Sequence, residues 1–299
     1  MIKQYMEKLD FPKEATDELY ECYRKMIRSE GVPDLMDEVI DQIFHGTDRS
    51  FTEGLAEISR KADINEYQSN AVVLLCCIPQ LKQMYDDRGI GEDILWDTMT
   101  DIRCKLYECK AVKGVWGNFV AYWYDVFFRL RCFKLGRLEF ERKPFPLESY
   151  GEFLKQGDLA LNCHIPSAGP LKIEDVYDSL RRAYEFFPEL RKGDILPIYC
   201  HSWLLDPEYK KDVFPVGTNT RDFMDLFHIV QRTDNQNYAD LWRVFNVCYT
   251  EGCLEALPED TSMRKRLKRH LLAGNKMGDG YGIILFDGER IIGEKYDYR

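Results

Sequence analysis

The chain has 299 residues, of which 45% are apolar and 31% charged. This composition excludes wholesale disorder and allows a sizeable core, and the length predicts about two domains. Acidic residues outnumber basic ones 51 to 41, which gives a net charge of −10. A chain-wide attraction to nucleic acid or to anionic lipid is therefore not expected.

The cysteines and the apolar segments indicate in which cellular compartment the protein is expected. The ten cysteines are diluted in a long chain and none forms a CxxC pair, so no disulfide framework is predicted. The N-terminal residues lack the apolar segment of an export signal. The longest apolar run, residues 71–78, is much shorter than the ~20 residues that span a membrane. We expect a cytoplasmic protein with reduced thiols and no membrane partner.

Roughly the first 110 residues carry apolar side chains at the three-to-four spacing of amphipathic helices. Residues 67–85 are apolar on all sides near their middle, which is typical of a central helix buried by its neighbours. The sequence predicts an all-helical N-terminal domain over residues 1–120. The stripes that carry this prediction are Leu19, Tyr23 and Met26; Leu35, Val39 and Ile43; Phe51, Leu55 and Ile58; and Leu95, Met99 and Ile102.

The pattern changes after Gly114. Residues 116–128 still read as an aromatic helix, whereas residues 129–145 alternate apolar and charged side chains, as a half-solvated hairpin does. In that hairpin Glu139 and Glu141 are expected to face solvent.

A rhythm of strands and helices follows. Strands are predicted at 159–165, 195–205 and 241–248, and helices at 173–187, 221–231 and 262–272. The last helix has Asp260 and Thr261 as caps and Gly274 as its stop, and Asp287-Gly288 marks a closing hairpin. The predicted fold class is α+β, an all-helical N-terminal domain followed by an α/β domain over residues 121–299.

Two strand ends place reactive side chains beside turns. In the first, Asn162-Cys163-His164 leads into a loop of small residues and then a helix. Main-chain N–H groups at such a junction suit an anion or a developing oxyanion. The same sequence also makes a plain turn, and Glu174 and Asp175 already satisfy the helix dipole, so both interpretations stay open.

The second strand end is Tyr199-Cys200-His201-Ser202. Strand alternation places Tyr199 and His201 on one face and Cys200 on the other, so a Cys–His pair cannot easily act together. For the same reason a zinc site built from both Cys-His pairs has too few ligands, and no metal is expected. Cys163 and Cys200 are more simply inert buried thiols than nucleophiles.

The histidines are the better candidates for proton transfer, because imidazole titrates near neutral pH. His164 and His201 stand at the two strand ends, although each could instead order a loop. His228, placed on a helix with Phe223 and Phe227, has no companion that indicates chemistry. The basic residues at 264–269 are expected to form a solvated helix face rather than a site for a phosphorylated ligand or nucleic acid.

Several segments together resemble a known family. LGRLEFERKPF, CHIPSAGPL, CHSWLLDP and TSMRKRLKRHLLAG occur in this order, and the last is followed by a hairpin. They are similar to the two-domain bacterial acyltransferase-domain proteins, in which a helical N-acyltransferase domain precedes a GNAT-like C-terminal domain. The resemblance covers essentially the whole chain and implies a mixed, splayed sheet.

The resemblance implies direct transfer of an acyl group from acyl-CoA or acetyl-CoA, as co-substrate, to the amine of a small molecule or peptide. His164 or His201 would be the base, Tyr199 the acid, and main-chain N–H groups near His164 the oxyanion donors. The two strands would splay to admit the thioester. The implied residues for CoA are Asn162 and Cys163 along the pantetheine arm and Ser167, Ala168, Gly169 and Leu171 at the pyrophosphate.

The loop also differs from the usual Arg/Gln-x-x-Gly-x-Gly/Ala pattern, and Pro170 has no N–H to offer a phosphate. A second hypothesis is therefore a non-catalytic GNAT-like module that binds a peptide or a small metabolite. A third is a scaffold whose interface is the aromatic segment 116–128. The sequence leaves open the acceptor, the acyl chain length and the oligomeric state.

Overall fold

The computed structural model describes residues 2–46, 51–234, 240–248 and 252–292. The chain divides into two compact units, Met1–Phe133 and Lys134–Arg299, which are taken separately below. The assignment of residues 1–120 and 121–299 to two domains stays a prediction.

The first unit is helical, as expected. The central helix begins at Asn65, whose side chain accepts a hydrogen bond from the Tyr67 amide, as a helix N-cap does. Its buried side chains occupy all sides near the middle, and five neighbouring helices of this unit pack against it. The helices are α1 Ile2–Lys8, α2 Lys13–Met26, α3 Val32–His45, α4 Phe51–Ala62, α5 Glu66–Asp87 (the central one) and α6 Glu92–Lys113.

The expected aromatic helix at 116–128 is wrong. The Asn118 amide donates to the Tyr67 carbonyl at 2.8 Å, and a Cβ on Gly117 would lie 2.6 Å from the same carbonyl group. This close approach turns the chain, so that only a short 3-10 turn, Ala121–Trp123, and the four-residue α7, Asp125–Phe128, remain.

The second unit is built on a six-stranded mixed sheet in the order β1-β2-β5-β6-β8-β7, with a separate β3-β4 pair. Its strands are β1 Cys132–Leu135, β2 Leu138–Pro144, β3 Ser149–Tyr150, β4 Leu154–Lys155, β5 Leu159–His164, β6 Leu196–Ser202, β7 His228–Asp234 and β8 Gly278–Phe286. Its helices are α8 Ile173–Phe186, α9 Tyr209–Asp212, α10 Asn219–Met224, α11 Leu241–Phe245 and α12 Ser262–Leu272. The mixed sheet confirms the predicted fold class.

The two central strands are parallel and separate part-way along. Strands β5 and β6 pair at Leu161–Ile198 and at Asn162–Tyr199. Beyond the second pair, the last residues of β5 pair with β2 and those of β6 with β8. The described sheet therefore opens between β5 and β6 directly after Asn162, which confirms the expected splay.

Each face of this sheet is covered differently. On one face, the rings of Tyr177 and Tyr184 on α8 contact Phe286 of β8. On the other face, an apolar cluster packs over the part of the sheet where β5 and β6 are still paired. Its buried members are Phe145, Tyr150, Leu154, Ala160, Tyr199, Ile283 and Leu285.

Two predicted elements have the wrong type. The helix expected at 221–231 ends at Met224, and the chain from His228 onward is strand β7 at the sheet edge. The strand expected at 241–248 is helix α11, which ends where Asn246 adopts a left-handed φ of 54°. Short apolar segments occur in both helices and strands, so such a segment does not by itself distinguish the two. Residues 228–234 form a strand because they pair with the antiparallel strand β8.

The basic face of α12 is partly structural rather than solvated. Lys268 is 8% exposed and donates to the carbonyl groups of Glu255 and Leu257. Arg264 and Arg266 likewise donate to main-chain carbonyls, at 2.7 and 2.8 Å. The expected helix bounds, 262–272, and its Thr261 cap are confirmed.

The closing hairpin is seen as far as Ile292. An isolated bridge joins Phe286 to Ile291, and the Asp287 carboxylate accepts from the amides of Glu289 and Arg290. The rest of the predicted hairpin lies outside the described residues. Among the described helices, none combines the length and the apolar character of a membrane span.

Candidate active site

Three polar side chains meet at the opening of the sheet. The His164 Nε2 atom lies 3.0 Å from Glu141 Oε2 and 3.0 Å from Asn162 Nδ2. The Asn162 Nδ2 atom is itself 3.3 Å from Glu141 Oε2. These residues are called the Glu141–His164 cluster below.

Strand register explains why they meet. Glu141 pairs with Asn162 across the antiparallel β2 and β5, so their side chains share a face of the sheet. His164 stands two residues beyond Asn162 and returns to the same face. Tyr199 is in register with Asn162 on β6, so that Tyr199 and His201 also share this face.

The carboxylate sets the tautomer of the imidazole. A carboxylate only accepts hydrogen bonds, so His164 Nε2 carries the hydrogen and donates it to Glu141. The lone pair of the neutral ring is then on Nδ1. The Asn162 amide donates to the same carboxylate oxygen, which holds Glu141 in place. In this tautomer the 3.0 Å approach of Asn162 Nδ2 to His164 Nε2 is a contact between two donors and not a hydrogen bond. This arrangement orients a proton acceptor and stabilises the imidazolium that forms when it takes a proton.

The expectation that Glu139 and Glu141 face solvent is wrong, since each is only 2% exposed. Burial is the largest influence on Glu141 and acts to raise its pKa. The hydrogen bond from His164, the charge of that ring when it is protonated, the charge of Lys143 and the Asn162 amide outweigh burial, and the pKa of Glu141 lies below its ordinary value. The Lys143 Nζ atom is 3.9 Å from the carboxylate.

His201 lies on the same face of the sheet but is held differently. It pairs with Tyr281 of β8, and the two rings stack with centroids 3.9 Å apart and planes 8° from parallel. Burial lowers the pKa of His201 below its ordinary value, with Asp240 opposing and Lys143 reinforcing the shift. The charged form of His201 is therefore disfavoured, and its ring is fixed by an aromatic ring rather than by a carboxylate.

Tyr199 belongs to the apolar cluster beneath the opening. It is 3% exposed, and its hydroxyl donates to the Pro144 carbonyl at 3.4 Å. Burial, with the charge of Glu141 added, raises its pKa well above the ordinary value. The neighbouring thiols of Cys163 and Cys200 are buried.

The β5–α8 loop, residues 165–172, follows the cluster directly. Ser167, Ala168 and Gly169 are exposed, whereas the Leu171 side chain is buried. Gly169 has a φ of +98°, which favours glycine. A residue that sequence reasoning missed, Arg137, donates to three carbonyl groups of this loop. The sequence cue for Arg137 is that it is a cationic residue directly after the glycine of the β1–β2 turn.

His228 is not on a helix as expected. It begins β7, and its Nδ1 atom lies 2.9 Å from the Tyr150 hydroxyl, so a structural partner accounts for it. Over the described ranges, no three His, Cys, Asp or Glu side chains are grouped in a way that could hold a metal ion.

Two family models match the chain. Residues 132–284 match the GNAT-like C-terminal domain and residues 1–130 the N-acyltransferase N-terminal domain. No curated protein sequence matches.

The chain also resembles solved acyltransferase structures. One, in complex with decanoyl-CoA and teicoplanin, shares 21% identity over 94% of this chain and 86% of that chain, with a TM-score of 0.73. Another, with CoA and 10C-teicoplanin, shares 21% over the same fractions, with a TM-score of 0.72. A mutant acyltransferase with octanoyl-CoA shares 20% over 94% and 86%, with a TM-score of 0.71. These identities show a common fold, and the family models identify the chain as a member of the family that joins an N-acyltransferase N-terminal domain to a GNAT-like C-terminal domain.

Proposed function

We propose that this protein transfers an acyl group from a CoA thioester to the amine of a small-molecule acceptor. The family supports acyl transfer. The co-substrate is supported by the acyl-CoA and CoA found in the structures of the same fold. The acceptor class is supported by teicoplanin, which two of those structures contain.

The reaction is written without an acyl-enzyme. The amine nitrogen attacks the thioester carbonyl carbon, the C–N bond forms and the C–S bond breaks. The amine loses one proton, and the departing thiolate gains one, so that the products are an amide and free CoA. The protein must supply a proton acceptor, donors for the developing oxyanion and an acid for the thiolate.

We assign the proton acceptor to His164 Nδ1. The Glu141–His164 cluster is the observation that carries this assignment, because it lies where β5 and β6 separate and it fixes the tautomer that a base needs. Main-chain N–H groups near His164 are the proposed oxyanion donors. Tyr199 is the proposed acid, and His201 is the alternative base on the facing strand.

We propose that CoA follows β5. Asn162 and Cys163 would border the pantetheine arm, which enters the opening in the sheet. The β5–α8 loop would hold the pyrophosphate through main-chain N–H groups of Ser167, Gly169 and Leu171 at the start of a 14-residue helix. Ala168 would border the pyrophosphate without donating to it, because its N–H already donates to the Pro166 carbonyl at 2.8 Å.

Calorimetric titration of the full chain with CoA and with decanoyl-CoA tests this function, followed by mass-spectrometric detection of acylated teicoplanin. We expect both thioester and CoA to bind, and product to form only with the thioester. Absence of CoA binding would contradict the proposed function.

That absence would favour the non-catalytic module. Two observations already point towards it, since Pro170 lacks an N–H and Glu174 and Asp175 place negative charge in the first turn of α8.

A further inference from the structure

Arg137 holds the β5–α8 loop from one side. Its guanidinium donates from Nη1 to the Pro166 carbonyl at 2.9 Å, from Nη2 to the Gly169 carbonyl at 2.7 Å and from Nε to the Pro170 carbonyl at 3.1 Å. Hydrogen bonds from a charged donor are stronger than neutral ones, and the planar guanidinium fixes the relative positions of the three carbonyls.

Arg137 is in turn fixed on α8. Its main-chain N–H donates to Ser179 Oγ at 2.7 Å, and this hydroxyl donates to the Asp175 carbonyl at 2.9 Å. The preceding Gly136 has a φ of +77°, and a Cβ there would lie 2.8 Å from Ser179 Oγ. These contacts fix the position of the β1–β2 turn against α8, and the Arg137 side chain extends from this fixed turn to the β5–α8 loop.

The three hydrogen bonds determine where the loop amides point. In a trans peptide the C=O and N–H groups point in opposite directions. With the carbonyls of Pro166 and Pro170 directed to Arg137, the N–H groups of Ser167 and Leu171 point away from it. The Gly169–Pro170 peptide has no N–H, and Arg137 satisfies its carbonyl.

The charge of Arg137 has a second effect. Glu174 and Asp175 lie in the first turn of α8 and oppose the approach of a phosphate. A cation on the other side of the same loop offsets part of that repulsion.

We propose that Arg137 is a positioning residue that shapes the β5–α8 loop for the pyrophosphate of CoA, and that it permits Pro170 in this loop. This inference rests on the proposed function. It predicts an effect on CoA binding rather than on the chemical step, because Arg137 bonds the loop and not the reacting atoms.

Full-length Arg137→Gln and Arg137→Lys test this inference, with Arg182→Gln as a matched control. Arg182 is a half-exposed arginine of α8 that pairs with the half-exposed Asp178, and its loss changes the net charge equally. We expect Arg137→Gln to weaken CoA binding at least roughly tenfold, with kcat within about twofold of wild type. Arg137→Lys should be intermediate, and Arg182→Gln should bind as wild type does.

Amide hydrogen exchange without CoA is the second readout. We expect faster exchange over residues 165–172 in Arg137→Gln and unchanged exchange in the paired strands β6 and β8, which also shows that the variant is folded. Wild-type CoA affinity and loop exchange in Arg137→Gln would overturn the inference. If the wild-type protein itself bound no CoA, the proposed function would be contradicted. Unchanged hydrogen exchange of the loop in Arg137→Gln would contradict only the role assigned to Arg137.

Discussion

His164 Nε2 lies 3.0 Å from Glu141 Oε2, and the exposed fractions of the two side chains differ, at 24% and 3%. The carboxylate is thus shielded from solvent while about a quarter of the imidazole side chain is exposed. A buried anion that accepts a hydrogen bond from one ring nitrogen defines the tautomer and places the lone pair of the ring on the other nitrogen.

Replacing His164 by Gln should lower kcat at least about a hundredfold, because general base catalysis contributes of this order. The KM for decanoyl-CoA should change little. Steady-state kinetics with mass-spectrometric product detection measures both. His201→Gln is the control and should keep kcat within about threefold. A loss confined to His201→Gln would move the base to the facing strand.

Glu141→Gln should change how stability depends on pH. The pKa of Glu141 is lowered in the folded protein, so its contribution is fully present above the unfolded value of about 4.3 and is lost as pH falls through the folded pKa. The difference in unfolding free energy between wild type and Glu141→Gln should therefore be largest above pH ~4.3 and shrink below it. Urea unfolding at several pH values measures this difference, and a constant difference would contradict it.

Tyr199→Phe separates an acid from a packing residue. The ring stays, together with its edge-on contact to Phe145 at a centroid distance of 5.5 Å, and only the hydroxyl is lost. Losing its 3.4 Å hydrogen bond to Pro144 should cost about 1 kcal/mol or less of unfolding free energy. If Tyr199 is the acid, kcat should fall about tenfold or more. Wild-type kcat with wild-type stability would remove it from the mechanism.

Asp206→Ala should be the most destabilising of these changes. Asp206 is fully buried and accepts two hydrogen bonds from Arg232 of β7, at 2.8 and 3.2 Å. We expect a loss of about 2–4 kcal/mol by urea unfolding, because both hydrogen bonds from Arg232 and the one from the Glu208 amide are lost, and Arg232 keeps only its exposed partner Asp234.

The control for that variant is Asp178→Ala, which breaks a pair whose two side chains are each 51% exposed. It should change the unfolding free energy by less than about 0.5 kcal/mol. Equal losses in the two variants would mean that burial of the Asp206 pair is not what matters.

Local signals account for the elements that sequence reasoning predicted well. The α12 helix begins directly after Thr261, whose hydroxyl accepts from the Arg264 amide at 3.2 Å, and this cap is readable from neighbouring residues. The same holds for α5, whose apolar run identifies it as central. The opening between β5 and β6 was reached through the family resemblance rather than through any periodicity.

Elements that depend on distant partners were mistaken. The stretch from His228 to Asp234 is a strand because it pairs with β8, which follows more than forty residues later.

Helix α11 is a different case, because its signal is local. Leu241, Val244 and Phe245 lie on one side of it, and this helical spacing is present in the sequence, although a strand is predicted there.

The amino-acid sequence alone determined the family, the division into helical and α/β parts, and the two histidines at strand ends, because these depend on residue types and spacing along the chain. Only the tertiary structure decided which groups hold them. Glu141 and Arg137 looked like ordinary charges of a solvated hairpin, since charge and alternation are local properties. The burial of Glu141 and the partners of both residues, 23 and about thirty residues away, arise from strand register and from the docking of a turn on a helix, and no local pattern encodes either.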